Sequence, residues 1–195
     1  QALHYLTAPN QVQLDRASKS PMVENAGDMF SYNPYDYRCC QHNMAFAWPY
    51  FTEHLWMATQ DRGVALAFYA PSRVTATVAD GQKVEFELDT RYPFDGTATI
   101  QARLVQPAEF PLWIRIPAWC AKPEIRVAGE EAALSNAAGK WVRIARTWRN
   151  GDKVDLRFPM PLRVVVWTAQ QGAVSIHRGP LAFSVKIGEQ YVRLE

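Results

Sequence analysis

The residues best suited to chemistry in this sequence are cysteines. Cys39 and Cys40 are adjacent within Tyr37-Arg38-Cys39-Cys40-Gln41-His42-Asn43. There an irregular segment, punctuated by Pro9, Pro21, Gly27 and Pro34, gives way to a helical pattern. A helix N-terminus offers free N–H groups and about half a positive charge. That end and the neighbouring Arg38 both favour a thiolate over a thiol, lowering a cysteine pKa from its free value of about 8.5. Such a cysteine is a nucleophile or a metal ligand. Two adjacent thiolates can reach one Zn²⁺ where the chain turns, but a tetrahedral site needs two more ligands. His42 and Cys120 are poor candidates, so the missing ligands are expected outside the chain. A third reading stays open beside these two: an adjacent cysteine pair in a helix-rich core is often two small hydrophobes. Cys120, far from the pair, reads as a buried thiol.

The composition limits what these residues can belong to. The chain has 195 residues, 21 basic and 19 acidic side chains and a net charge of +2. With 48% hydrophobic and 21% charged residues it can build a core, and it is not a disordered chain. No basic run forms a phosphate-binding stripe, so no nucleic-acid partner is expected. No apolar run approaches the roughly 18 residues of a membrane span, and no leader is visible. Three cysteines exclude a disulfide scaffold.

The elements that must position the cysteines come in two kinds. From Gln41 to about Ala58 the apolar residues Met44, Trp48, Phe51 and Leu55 fall on one helical face, which Phe46, Tyr50 and Trp56 widen, so the helix is expected to be buried on more than one side. Pro49 should kink or split it. Gln60-Asp61-Arg62-Gly63 should end it, with Gly63 as C-cap. After Gly63 the period changes to two. Val84, Phe86 and Leu88 alternate with Lys83, Glu85, Glu87 and Asp89, and Leu112, Ile114 and Ile116 alternate likewise. Trp141 to Ala145 and Val154 to Phe158 flank the turn Asn150-Gly151-Asp152. Short strands with turns at about ten-residue intervals predict a β-sandwich or barrel. The fold class is therefore mainly β: a β-sandwich preceded by a short helical remnant. The expected parts are an irregular segment plus helix over 1–62, a β-sandwich over 63–160, and further strands over 161–195 that start a second sandwich.

Cys-Cys-x-x-Asn opening a helix ahead of a β-sandwich resembles glycoside hydrolase family 127, the β-L-arabinofuranosidase-like proteins of DUF1680. Tyr92-Pro93-Phe94-Asp95-Gly96 is similar to a turn of that family. So are the strand Leu112 to Trp119, the turn Trp148 to Asp152, and the stretch from Gly172 through His177-Arg178-Gly179-Pro180-Leu181. The resemblance runs from about Asn33 to Phe183. It implies that the helix is the remnant of an (α/α)₆ barrel carrying the active site, followed by sandwich domains. It further implies a retaining glycosidase with Cys39 as nucleophile, and Zn²⁺ bound by Cys39 and Cys40 with an upstream Glu-x-Cys pair. The implied partner is a carbohydrate, an L-arabinofuranoside or a related sugar. The chain departs from the pattern in lacking Glu-x-Cys and in placing Gln41-His42 where prolines are common. Among Glu24, Asp28, Asp36 and Glu53 no carboxylate is identified as the acid/base. The implication is a fragment of a longer enzyme, without glycosidase activity by itself. A non-catalytic accessory or carbohydrate-binding sandwich is the alternative.

Other residues have structural expectations. Trp113, Trp119, Trp141, Trp148 and Trp167 are expected chiefly in the core rather than on a sugar-stacking surface. Arg143, Arg146 and Arg149 can form cation–π pairs near Trp141 and Trp148. Asp152, Asp155 and Arg157 read as a solvated face, and His54 as a structural histidine. The Met44–Trp48–Phe51–Leu55 face is expected to dock on the sandwich or to drive self-association.

Overall fold

The computed structural model of the chain describes residues 39–79, 81–132 and 137–184, with helix side chains described from Phe46 onward. By chain contacts it divides into residues 1–50 with 185–195, and residues 51–184. The only α-helix among the described residues, α1, is Cys39–Glu53. It starts two residues earlier than the periodicity predicts and ends five earlier. Pro49 lies inside it and does not split it. Phe46, Trp48 and Tyr50 are exposed, against the expectation of a helix buried on several sides. That expectation needs packing surfaces that the described residues do not supply.

The helix stops early because tertiary burial gives Leu55 and Trp56 a better place than a fifth turn. Leu55 is buried in the connecting turn, and its carbonyl accepts the N–H of Ala67 at 2.9 Å. Trp56 opens β1 (Trp56–Ala58), stacks on Phe86 with ring centroids 5.7 Å apart, and donates its indole N–H to Ser72 Oγ at 3.0 Å. Gln60 to Gly63 is therefore the loop between β1 and β2 (Val64–Leu66), not a helix cap. Gly63 is required for another reason. A Cβ there would lie 2.1 Å from the Pro111 carbonyl oxygen.

The remaining strands are β3 (Ser72–Val78), β4 (Gln82–Thr90), β5 (Thr97–Leu104), β6 (Ala108–Arg115), β7 (Glu124–Val127), β8 (Glu130–Glu131), β9 (Trp141–Trp148), β10 (Lys153–Arg157), β11 (Leu162–Trp167), β12 (Ala173–Arg178) and β13 (Leu181–Phe183). One sheet runs β1-β2-β6-β9, parallel only at β2–β6, where Val64 faces Leu112. A second, antiparallel throughout, runs β3-β4-β5-β10-β7-β8. They form a β-sandwich whose core draws on both. Leu66, Phe110, Leu112, Ile114 and Trp148 come from the first sheet, and Val84, Phe86, Leu88, Ile100, Val154 and Leu156 from the second. Phe86 sits at the seam, with ring centroids 6.1 Å from both Phe110 and Trp148. The alternation expected for Lys83 to Asp89 holds, with Val84, Phe86 and Leu88 buried.

The turn Asn150-Gly151-Asp152 is not a hairpin: it carries the chain from β9 in one sheet to β10 in the other. Its Gly151 N–H donates to the Ala102 carbonyl at 2.8 Å, and Ala102 N–H returns a bond to the Asp152 carbonyl at 2.9 Å. Strands β11, β12 and β13 form their own antiparallel sheet. No helix among the described residues is long and apolar enough to cross a membrane.

Candidate functional site

The backbone puts Cys39 and Cys40 at the first two positions of α1. Their side chains lie outside the described ones. The first turn carries no acidic residue, so no carboxylate there offsets the positive helix end, which favours anionic sulfur. Arg38, Glu24, Asp28 and Asp36 lie outside the described residues. Glu53 ends α1, exposed, with its Oε1 3.4 Å from His54 Nδ1.

Whether a zinc ion fits is decided by the donors. Cys120 is excluded as a third sulfur. It is fully buried in the sandwich core, and burial pushes its thiol up, away from the thiolate a metal needs. Its N–H donates to the Pro117 carbonyl at 3.0 Å, so it belongs to a turn packed into the core. No group of three His, Cys, Asp or Glu among the described residues can hold a metal. The pair Cys39–Cys40 would supply at most half of a tetrahedral donor set, and the described residues do not complete it.

The most ordered polar constellation is one the sequence reading missed. Asp61, expected to help end the helix, sits in the β1–β2 loop. Its Oδ1 accepts the Thr59 hydroxyl, both its oxygens lie 3.2 Å from Trp113 Nε1, and its Oδ2 accepts Arg143 Nε–H at 3.0 Å. Arg143 lies over the Trp113 ring, 5.7 Å from its centroid, and not beside Trp141 as expected. The Thr59 hydrogen bond first, then Arg143 and Trp113, hold the Asp61 carboxyl below its ordinary range. An acid held ionised cannot donate a proton near neutrality, so this trio fastens the loop to β6 and β9. Trp113, expected in the core, instead lies half-buried on the outer side of β6. Its pairing with Arg143 across β6 and β9 was not legible in the sequence.

The other motifs also resolve into structure. Asp95 Oδ1 accepts the Thr97 N–H at 3.0 Å and the Thr97 hydroxyl at 2.7 Å, which lowers its pKa. A Cβ on Gly96 would lie 2.0 Å from the Phe158 carbonyl oxygen. Asp152 accepts the Arg149 N–H at 3.0 Å, and Asp155 the Thr99 hydroxyl at 2.8 Å. Gly179-Pro180 is the β12–β13 turn. Trp148 is fully buried, with Arg146 over its ring at 5.5 Å, as the core and cation–π expectations had it. Trp141 and Trp167 depart from the core expectation and are exposed, Trp141 on the outward register of β9 and Trp167 in a strand exposed on both faces.

Comparison with known proteins follows the same outline. A family model described as β-L-arabinofuranosidase, GH127 middle domain, matches residues 63–160. Among solved structures, a GH127 β-L-arabinofuranosidase from Geobacillus stearothermophilus T6 aligns with TM-score 0.66 and 30% identity over 74% of this chain and 23% of that one. A structure described as a glycoside hydrolase aligns at 0.66 and 24% identity over 76% of this chain and 27% of that one. The GH127 β-arabinofuranosidase BT3674 aligns at 0.65 and 24% identity over 74% and 25%. The chain thus spans about a quarter of the length of each. No curated protein matches at the same stringency.

Proposed function

Since the chain belongs to the GH127 β-L-arabinofuranosidase family, we propose that it is part of a retaining glycoside hydrolase acting on an L-arabinofuranoside or a closely related sugar. The observation that carries the reading is a juxtaposition. The matched sandwich, 63–160, follows at once on a helix whose first two residues are Cys39 and Cys40.

Cys39 is proposed as the nucleophile. Its thiolate attacks the anomeric carbon, a C–S bond forms, and the glycosidic C–O bond breaks. The departing oxygen takes a proton from an acid outside the described residues. Water then gives a proton back to that same group and attacks the carbon, the C–S bond breaks, and the thiolate is restored. Two displacements at one carbon retain its configuration. The α1 N-terminus contributes by favouring the anionic sulfur.

Cys40, with Cys39, is proposed to hold Zn²⁺ in the full-length protein, the other ligands coming from outside this chain. A bound zinc ion would further lower the thiol pKa. The present donors do not complete that site, so no step is drawn through it.

The sandwich itself is proposed as non-catalytic support. The two carboxyls shifted within it, Asp61 and Asp95, are both shifted down by hydrogen bonds. A general acid at neutral pH needs the opposite shift.

The proposal is tested by assaying an aryl β-L-arabinofuranoside with the 195-residue chain and with the full-length protein. The chain alone should release no sugar. The full-length protein should, and Cys39→Ser should abolish the release. Full activity in Cys39→Ser would refute the assignment.

A further inference from the structure

The three-stranded sheet β11–β12–β13 has two unlike faces. Register puts Leu162, Val164 and Val166 with Val174, Ile176 and Phe183 on one face. All six are exposed, between 44% and 69%, and Arg178, opposite Leu162, interrupts their face. The other face carries Arg163, Val165 and Trp167 from β11, and Ser175 and His177 from β12. Ala173 and Ala182 share it, Val165, Ser175 and His177 are half-buried, and Trp167 is its one large aromatic.

Trp167 on this face is exposed yet pinned. Its relative exposure is 49%. The indole N–H donates to Ser175 Oγ at 2.8 Å, and Ser175 Oγ lies 2.7 Å from His177 Nε2. The three groups form a hydrogen-bonded chain, Trp167 donating to Ser175 and Ser175 bonded to His177. Arg163 stands opposite His177 across the strands.

This indole differs from others in the molecule. Trp113 has Arg143 over its ring, Trp148 is buried, Trp56 is stacked on Phe86, and Trp119 meets Phe158 edge-on. Trp141 is 42% exposed but has no hydrogen bond fixing its indole N–H. Trp167 combines a held edge and a half-exposed ring with the Ser175–His177 pair beside it. A fixed aromatic plane takes the C–H face of a sugar ring at little entropic cost, and the flanking N–H groups suit its hydroxyls.

We propose that Trp167, with Arg163, Ser175 and His177, is a sugar-binding platform distinct from the cysteine site, taking an arabinofuranosyl unit of the glycan. The platform rests on the geometry above, and the identity of the sugar rests on the proposed function. It would hold the glycan without cleaving it.

The test is an NMR titration of the 195-residue chain with methyl β-L-arabinofuranoside, and separately with methyl β-D-glucopyranoside. The Trp167 indole signal is assigned through Trp167→Phe. The arabinofuranoside should shift the Trp167 and His177 signals with a dissociation constant on the order of 1 mM, a weak single-ring site. Trp167→Ala should remove the effect while Trp141→Ala leaves it. Ser175→Ala, which frees the indole without deleting it, should weaken binding severalfold with signal dispersion retained. Binding of the glucoside alone at Trp167 would keep the platform and refute the arabinofuranoside reading. Binding of neither sugar, or equal binding in a folded Trp167→Ala chain, would refute the platform.

Discussion

Gly63 lies against Pro111 so closely that a Cβ on it would sit 2.1 Å from the Pro111 carbonyl oxygen and 2.6 Å from the Pro111 ring. The contact joins the start of β2 to the parallel strand β6, and backbone on the far side cannot yield as a flexible side chain would. Gly63→Ala is therefore expected to destabilise by about 1–3 kcal/mol through forced backbone shifts. Gly81→Ala is the control. Nothing lies within 4 Å of its would-be Cβ, but its φ is +85°, so it should cost about 1–2 kcal/mol of left-handed strain alone. Urea midpoints of both variants check the order. Gly63→Ala costing clearly less than Gly81→Ala would undermine the close-approach account.

Phe86 touches aromatics from both sheets. Its ring stacks on Trp56 and meets Phe110 and Trp148 edge-on. Phe86→Ala should cost about 3–5 kcal/mol by leaving a cavity at the seam. Phe86→Leu should cost clearly less. Chemical denaturation followed by tryptophan fluorescence measures both, and near-equality of the two variants would contradict a filled seam.

Asp61 makes acid stability predictable in sign. Its folded carboxyl sits below its ordinary value of 3.8, so the unfolded chain binds the proton more readily. The stabilisation is full above that value and drains away as pH falls through the lower folded one. Asp61→Asn should lower the urea midpoint at pH 7 and converge with the parent as pH falls below the folded carboxyl's lowered pKa. A difference that does not change with pH would show that ionisation of Asp61 is irrelevant. Added salt should narrow the difference at pH 7, because the Arg143 pair is exposed.

Tyr69 sets the alkaline limit. Its hydroxyl donates to the Arg115 carbonyl at 2.6 Å, and burial pushes its pKa far above the usual 10.0. Burial raises Tyr92 as well. Folded pKa values above the unfolded ones give stability that is present below pH 10 and lost as pH rises beyond it. An alkaline absorbance titration should show these two phenols ionising together with the loss of folded structure. Tyr69→Phe should shrink that step and cost about 1 kcal/mol for the lost hydrogen bond.

The thiols should divide by environment. Cys120 is buried with a raised pKa, and it should resist alkylation until the chain is denatured. The proposed thiolate character of Cys39 predicts that iodoacetamide labels it near neutral pH, as peptide mass mapping would show. Prompt labelling of Cys120 in the folded chain would contradict its place in the core.

Local pattern was enough for much of this. The change from period 3.6 to period 2, the inward set Val84, Phe86 and Leu88, and the spacing of turns made a mainly β sandwich after a helix legible. So did the run of motifs from Tyr92 to Leu181, which pointed to the family. Each of these signals lies within a few residues of itself, where side-chain alternation and turn chemistry act. Tertiary structure decided what depends on distant partners. Leu55 and Trp56 left the helix because Phe86 and the β2 edge offered burial. The turn at Gly151 changed sheets because Ala102 held it there. Asp61 became a clasp only when strand pairing put Trp113 beside Arg143, and Trp167 gained its bond to Ser175 only when β11 paired with β12. Pairing energies between residues far apart in sequence set those outcomes, and no local period encodes them.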